Sequence, residues 1–227
     1  NEAISERGGA APLLSRRAWI RCAIPVALIA GGLVTCPVGL PVLPIEKLDG
    51  YVGALTGNSM TALYEVTGTW HDQFGWENQV ATVAEVYHSL PENERDGCVI
   101  FAGNFGQAGA IDFFGREYGL PPATAIHQNY YFWGPPASGF GEVTMVYGIG
   151  GDVLDIIFKE VAVAATIQCE HCLSFEDDLP VHICRNPRVP AHAIWPLLRR
   201  IAFSNVGIPP DVAEEIRQDI AALIAKS

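Results

Sequence analysis

The 227-residue chain is 49% hydrophobic and only 17% charged, a composition that excludes intrinsic disorder and supplies enough apolar side chains for a real core. Its formal net charge is −11 and unevenly placed: Arg7, Arg16, Arg17 and Arg21 against Glu2 and Glu6 give residues 1–21 a balance of +2, leaving −13 on residues 22–227. A body that acidic repels phosphate backbones, which excludes nucleic acid as a partner.

Residues 1–17 are small and polar without periodicity and read as a flexible tail. From Cys22 to Ile45 the chain then carries 24 residues with no charge, preceded by Arg16, Arg17 and Arg21. The segment 18–45 is predicted as a hydrophobic helix, helical over about 18–35 and stopped by Pro37, Pro41 and Pro44, and is of the length that spans a bilayer. A twin-arginine export signal (Ser15-Arg16-Arg17), a lipoprotein site ending at Cys36 and a buried core helix are the rival readings. Arginines on one side of the span and an acidic body on the other place the body outside the cytoplasm, on the periplasmic side of the inner membrane.

Residues 46–70, with Gly50, Gly53, Gly57 and Gly68, predict one strand and loops. Trp76, Val80, Val83, Tyr87 and Leu90 repeat at four and three residues, the stripe of an amphipathic helix ended by Pro91. Next comes the most informative stretch. Residues 98–102 form a short apolar strand, Gly103, Asn104 and Gly106 allow a sharp turn, and a helix follows from Gln107 until Gly119. A strand, a glycine-rich turn and a helix start form a place where free amides meet a ligand, or where a helix packs closely on a sheet; the spacing matches neither a dinucleotide fingerprint nor a phosphate loop.

Residues 123–136 begin as a short strand and continue as a loop dense in aromatics with His127, Gln128 and Asn129, suited to a pocket wall or to an aromatic core. Residues 143–149 are a second apolar strand, with Asp152 as the expected cap of the helix after it. Strands are expected at 161–167 and 180–184, and helices at 191–201 and from Pro209 onward. Two strand-glycine-helix units argue for an α/β fold, a Rossmann-like three-layer domain with a mostly parallel sheet over 46–204, followed by a C-terminal helix in 205–227.

Cys169-x-x-Cys172, with His171, His182 and Cys184 nearby, is open to several uses: a disulfide joining Cys184 to Cys169 or Cys172, a metal site with too few knuckles, a redox pair or free thiols. His71-Asp72 and Asp177-Asp178 could serve acid–base or metal roles, but surface solvation explains them better. No hydrolase, metalloprotease or Walker motif occurs, so no catalytic residue, metal or cofactor is assigned.

The series Gly75-Trp76-Glu77, Leu90-Pro91, Ile100 to Gly115, Tyr118 to Pro122, His127 to Pro135, Cys169-x-x-Cys172 and Phe175-Glu176-x-x-Leu179-Pro180 resembles the C-terminal soluble region of bacterial family 39 membrane glycosyltransferases. These are the relatives of protein mannosyltransferases and aminoarabinose transferases. The resemblance spans about residues 18–203. It implies an accessory, non-catalytic extracytoplasmic domain that binds a lipid-linked sugar donor or a glycan acceptor, partnered by a multi-helix catalytic domain this chain does not contain. Gln107 stands where that pattern usually has Glu, and Gln128 where it has Asn, so no acid role is expected at 107. Gly103, Asn104, Gly106, Gln107, His127, Asn129, Tyr130 and Trp133 are the residues expected to line the pocket. The rival functions are a structural or interaction module on a membrane anchor, and a thiol- or metal-dependent enzyme using Cys169, His171 and Cys172.

Overall fold

A computed structural model describes residues 14–40, 42–57, 67–203 and 210–226. The chain forms two compact units, residues 1–70 and 71–227.

The first unit begins with α1 (Leu14–Gly39). Within it Trp19–Gly39, 21 residues, is long and apolar enough to cross a membrane, and none of that apolar window is buried. A helix of this kind near the N-terminus fits a membrane anchor or a signal sequence. It runs past the expected stop at residue 35, through Pro25 and Pro37. Pro37 removes one donor only two residues from the helix end, and nearby carbonyls find other partners: Thr35 Oγ1 donates to Gly31 O at 3.0 Å, Tyr51 OH to Val34 O at 2.6 Å and Trp70 Nε1 to Val38 O at 2.8 Å.

The expectation of a strand and loops from residue 46 is corrected by α2 (Ile45–Thr56), a helix that belongs to this first unit. Its glycines suggest loop, but Leu48 and Val52 are buried one helical turn apart. Gly57, at φ 68°, closes the helix in the left-handed conformation and donates its N–H to Gly53 O. The expected tail lies almost wholly outside the described residues.

The second unit carries a five-stranded sheet in the order β2-β1-β3-β5-β4, built from β1 (Val99–Ala102), β2 (Ala123–Ala125), β3 (Val143–Tyr147), β4 (Phe158–Ile167) and β5 (Leu179–Pro187). β1 pairs in parallel with β2 and β3, while β5 is antiparallel to both β3 and β4. Four strands therefore run one way and β5 alone opposes them, a mixed and mostly parallel sheet.

Around the sheet lie α3 (Trp76–Ser89), the helical turn α4 (Glu92–Arg95), α5 (Phe105–Phe114), α6 (Asn129–Trp133), α7 (Gly151–Ile157), α8 (Ala191–Leu198) and α9 (Pro210–Ile224). Side chains alternate across each strand. Ile100, Ala102, Met145, Tyr147 and Val181 pack with Val80 and Val83 of α3 and Ile111 of α5. Phe101, Val146 and Cys184 instead join Leu154 of α7, Ile194 and Trp195 of α8, and Ile216 and Ile220 of α9.

Local differences from expectation have local causes. The stretch after β2 is a short helix, α6, rather than loop. The cap of α7 is Gly150 rather than Asp152, because the helix starts one residue before the aspartate, at Gly151. His182 of β5 is 3% exposed, and a Cβ on Gly151 would lie 3.3 Å from its Nε2. Burial holds its imidazole below its ordinary value, opposed by a backbone hydrogen bond at Val146 and the Asp155 charge. The unfolded chain, with a histidine titrating near about 6.5, then takes up the proton first. This contribution to stability is present above that pH and lost as the pH falls below it. Thermal midpoints measured from about pH 7 to pH 5 are expected to decline, and His182→Gln is expected to flatten part of that decline.

Candidate functional site

In strand order the chain leaves β1 toward β2 on one side and later returns to place β3 on β1's other side. The carboxyl ends of β1 and β3 thus flank a topological switch point, where two connections diverge and leave a crevice in an open sheet. A cavity of about 390 Å³ occupies this place. Its rim is Gly103 and Asn104 after β1, His127 after β2, and Gly148 to Gly150 after β3. Its walls are apolar: Phe101 and Val146 from the sheet, Leu154 from α7, and Ile194, Trp195 and Leu198 from α8. A mostly apolar lining, with Asn104 and His127 at one end and Thr144 as a further polar residue, suits an amphipathic ligand.

Of the eight residues expected to line a pocket, the structure brings Gly103, Asn104 and His127 to this cavity. Gly106, Gln107, Asn129, Tyr130 and Trp133 are not among its lining residues. Gly106 faces Trp76 instead, where a Cβ would lie 2.9 Å from the indole. Gln107 is 2% exposed and turned inward. Tyr130 packs toward the α3 and α5 side and donates its hydroxyl to Asp112 Oδ2 at 2.6 Å; burial and that carboxylate raise the phenol above its ordinary value. Trp133 is 70% exposed with its ring against Tyr130. The aromatic loop therefore splits its rings between core and solvent, and only His127, with Phe105 beside it at 5.2 Å between ring centres, belongs to the rim.

The glycines at the rim permit close packing as well as access. A Cβ on Gly103 would lie 2.6 Å from Gly148 O, and one on Gly148, at φ 74°, would lie 2.3 Å from Gln107 Oε1. The two turns are therefore pressed together, with Gly103 N donating both to Tyr147 O and to Gln107 Oε1, each at 2.9 Å.

Beside the rim, sequence reasoning missed a buried carboxylate. Glu176 is 3% exposed and sits in the 3₁₀ turn Ser174–Glu176. Its Oε1 accepts from Asn104 Nδ2 at 2.7 Å, and its Oε2 from Gln107 Nε2 at 2.9 Å and Gln79 Nε2 at 3.3 Å. Asn104 uses its other atom, Oδ1, to cap α5 by accepting from Gln107 N at 2.9 Å. Gln107 also receives, on its backbone carbonyl, the hydroxyl of Tyr147, whose phenol burial holds far above the ordinary range. One carboxylate thus binds three amides from two helices and fixes the asparagine at the cavity mouth.

The disulfide joins Cys169 to Cys172, not either of them to Cys184. Cys184 is fully buried in the middle of β5 and faces the α7–α9 side, its thiol pushed up to about 12 by burial, whereas Cys169 and Cys172 lie on the turn after β4 beside the start of α3. No group of three or more histidine, cysteine or acidic residues able to hold a metal occurs among the described residues. Searches of family models, curated proteins and solved structures returned no match to this chain.

Proposed function

We propose that the chain is a membrane-tethered, extracytoplasmic accessory domain of Rossmann-like three-layer type that binds the lipid-linked sugar donor or the acceptor of a family 39-like glycosyltransferase, with catalysis carried by a separate membrane domain. The observation that supports this most is the cavity at the β1–β3 switch point, whose lining is mostly apolar, with Asn104 and His127 at its mouth and Thr144, its hydroxyl donated to Phe140 O, as the polar exception within. Such a shape suits an isoprenoid or acyl chain within and a phosphate or sugar at Asn104 and His127. The exposed apolar helix Trp19–Gly39 would keep the body at the membrane that holds such lipids.

The test is thermal unfolding of the full chain with farnesyl phosphate, free sugars and nucleotides in turn. Farnesyl phosphate is expected to raise the midpoint by about 3 °C or more at saturation, and free sugars and nucleotides much less. Val153→Trp, which fills the cavity from its wall, is expected to abolish the shift, and Asn104→Ala to weaken it. Equal shifts in wild type and in both variants would overturn the reading and favour a folded interaction module.

A further inference from the structure

The segment from Gln168 to Asp178 carries the Cys169–Cys172 disulfide at one end and Glu176 at the other. Both hold helix starts. Gly75, the residue before α3, has φ 84°, and a Cβ there would lie 2.2 Å from Cys172 Sγ and 2.6 Å from Cys169 Sγ, so the sulfur pair is seated directly on it. The same segment is tied to that helix by Asn78 Nδ2 donating to Gln168 O at 2.8 Å and to residue 71 by a 2.7 Å bond between His71 Nδ1 and His171 O. Inside the segment Asp177 Oδ1 accepts from Cys169 N at 2.7 Å. Glu176, next in the chain to Asp177, reaches Asn104 at the start of α5. A short covalent and hydrogen-bonded path therefore runs from the sulfurs to the cavity mouth.

We propose that Cys169–Cys172 is a thiol–disulfide exchange site, whose reduction by a dithiol, small or borne on a thiol oxidoreductase, loosens the Glu176 contacts and so the rim of the cavity. Both cysteines are half-buried rather than enclosed. The bond joins residues three apart, so it restrains the unfolded chain far less than a long-range bridge and is correspondingly easier to surrender. In the exchange, a reagent thiolate attacks Cys172 Sγ, the bond to Cys169 breaks, and Cys169 leaves as a thiolate that takes a proton from water. The reagent's second thiol then closes on its own sulfur and releases Cys172 as a thiol. Two electrons pass from the dithiol to the pair, and the reagent departs as its disulfide.

The link to ligand binding rests on the function proposed above, but the test of the latch needs no ligand. The full chain is equilibrated in mixtures of reduced and oxidised dithiothreitol, then trapped with iodoacetamide for mass analysis of the 169–172 peptide. Hydrogen exchange is followed in parallel on peptides covering 76–82 and 103–108. The pair is expected to open and reclose reversibly while the fold persists, with exchange over 103–108 rising on the order of tenfold in the reduced form. Cys169→Ser/Cys172→Ser is expected to match the reduced form, and Glu176→Gln to show the faster exchange with the disulfide still closed. If the double serine variant does not fold, the reversible titration of the wild type still decides the matter. A pair that resists dithiol until the protein unfolds, or one that opens without changing 103–108, would overturn the proposal and make the bond a simple staple. Farnesyl phosphate binding that is equal in both redox states, with a loosened rim, would break only the link to the ligand. Absent binding in both states would count against the proposed function and leave the latch standing.

Discussion

Glu176→Ala is expected to lower the stability of the second unit by about 3 kcal/mol, which for a domain of this size moves the thermal midpoint down by roughly 6–12 °C. The substitution removes three hydrogen bonds to a charged acceptor at once. It also leaves the amide donors of Gln79 and Gln107 inside the protein, where both residues are at most 2% exposed. Buried donors without acceptors cost their full desolvation, so the loss exceeds that of an exposed glutamate, which is usually within about 0.5 kcal/mol. Glu176→Gln is expected to fall between the two, because a neutral amide keeps one acceptor oxygen and turns a fourth NH₂ group toward three others. Thermal and denaturant unfolding of both variants check this. A loss below about 1 kcal/mol for the alanine variant would mean that water replaces the carboxylate readily and that the clamp does not hold the rim.

Gly75→Ala is expected to cost a similar amount, about 3 kcal/mol, for a different reason. Part is the left-handed backbone at φ 84°, which any side chain disfavours by roughly 1–2 kcal/mol. The rest is steric, because the new methyl group would overlap both sulfurs of the disulfide. The two parts separate in a double-mutant cycle: with Cys169 and Cys172 both changed to serine, the cost of Gly75→Ala is expected to shrink toward the backbone part alone. Unfolding midpoints and a count of free thiols measure it. Identical costs in the two backgrounds would show that the sulfurs do not rest on Gly75.

Much of the frame is legible in the sequence where a single periodicity controls a single element. The stripe of Trp76, Val80, Val83 and Tyr87 gives α3, and the apolar run before Gly103 gives β1, each within a residue or two of its observed bounds. The helix at 45–56 escapes because Gly50 and Gly53 look like breakers, while its two buried anchors, Leu48 and Val52, are too few to set a visible period. The site is harder still. Asn104 and His127 stand beside glycine turns and announce themselves, but the cavity walls are plain apolar residues of α7 and α8, far along the chain and unlike any ligand motif. Glu176 hides for the opposite reason. Followed by Asp177 and Asp178 it reads as a solvated acidic turn, and only the convergence of Gln79, Asn104 and Gln107 from distant positions makes it a buried acceptor. Choosing among three cysteines likewise needs the strand faces, which turn Cys184 to the side of the sheet opposite α3.

On the proposed function, the cavity between the sheet and α7 and α8 takes the apolar part of an amphipathic ligand. Photolabelling of the full chain in lipid nanodiscs, with a farnesyl phosphate bearing a diazirine on its chain, tests it most directly. Label on the peptides covering 153–158 and 194–201, displaced by unlabelled farnesyl phosphate and absent from Val153→Trp, is the expected result. Label confined to residues 19–39, or label on the α7 and α8 peptides that competitor does not displace, would contradict the claim.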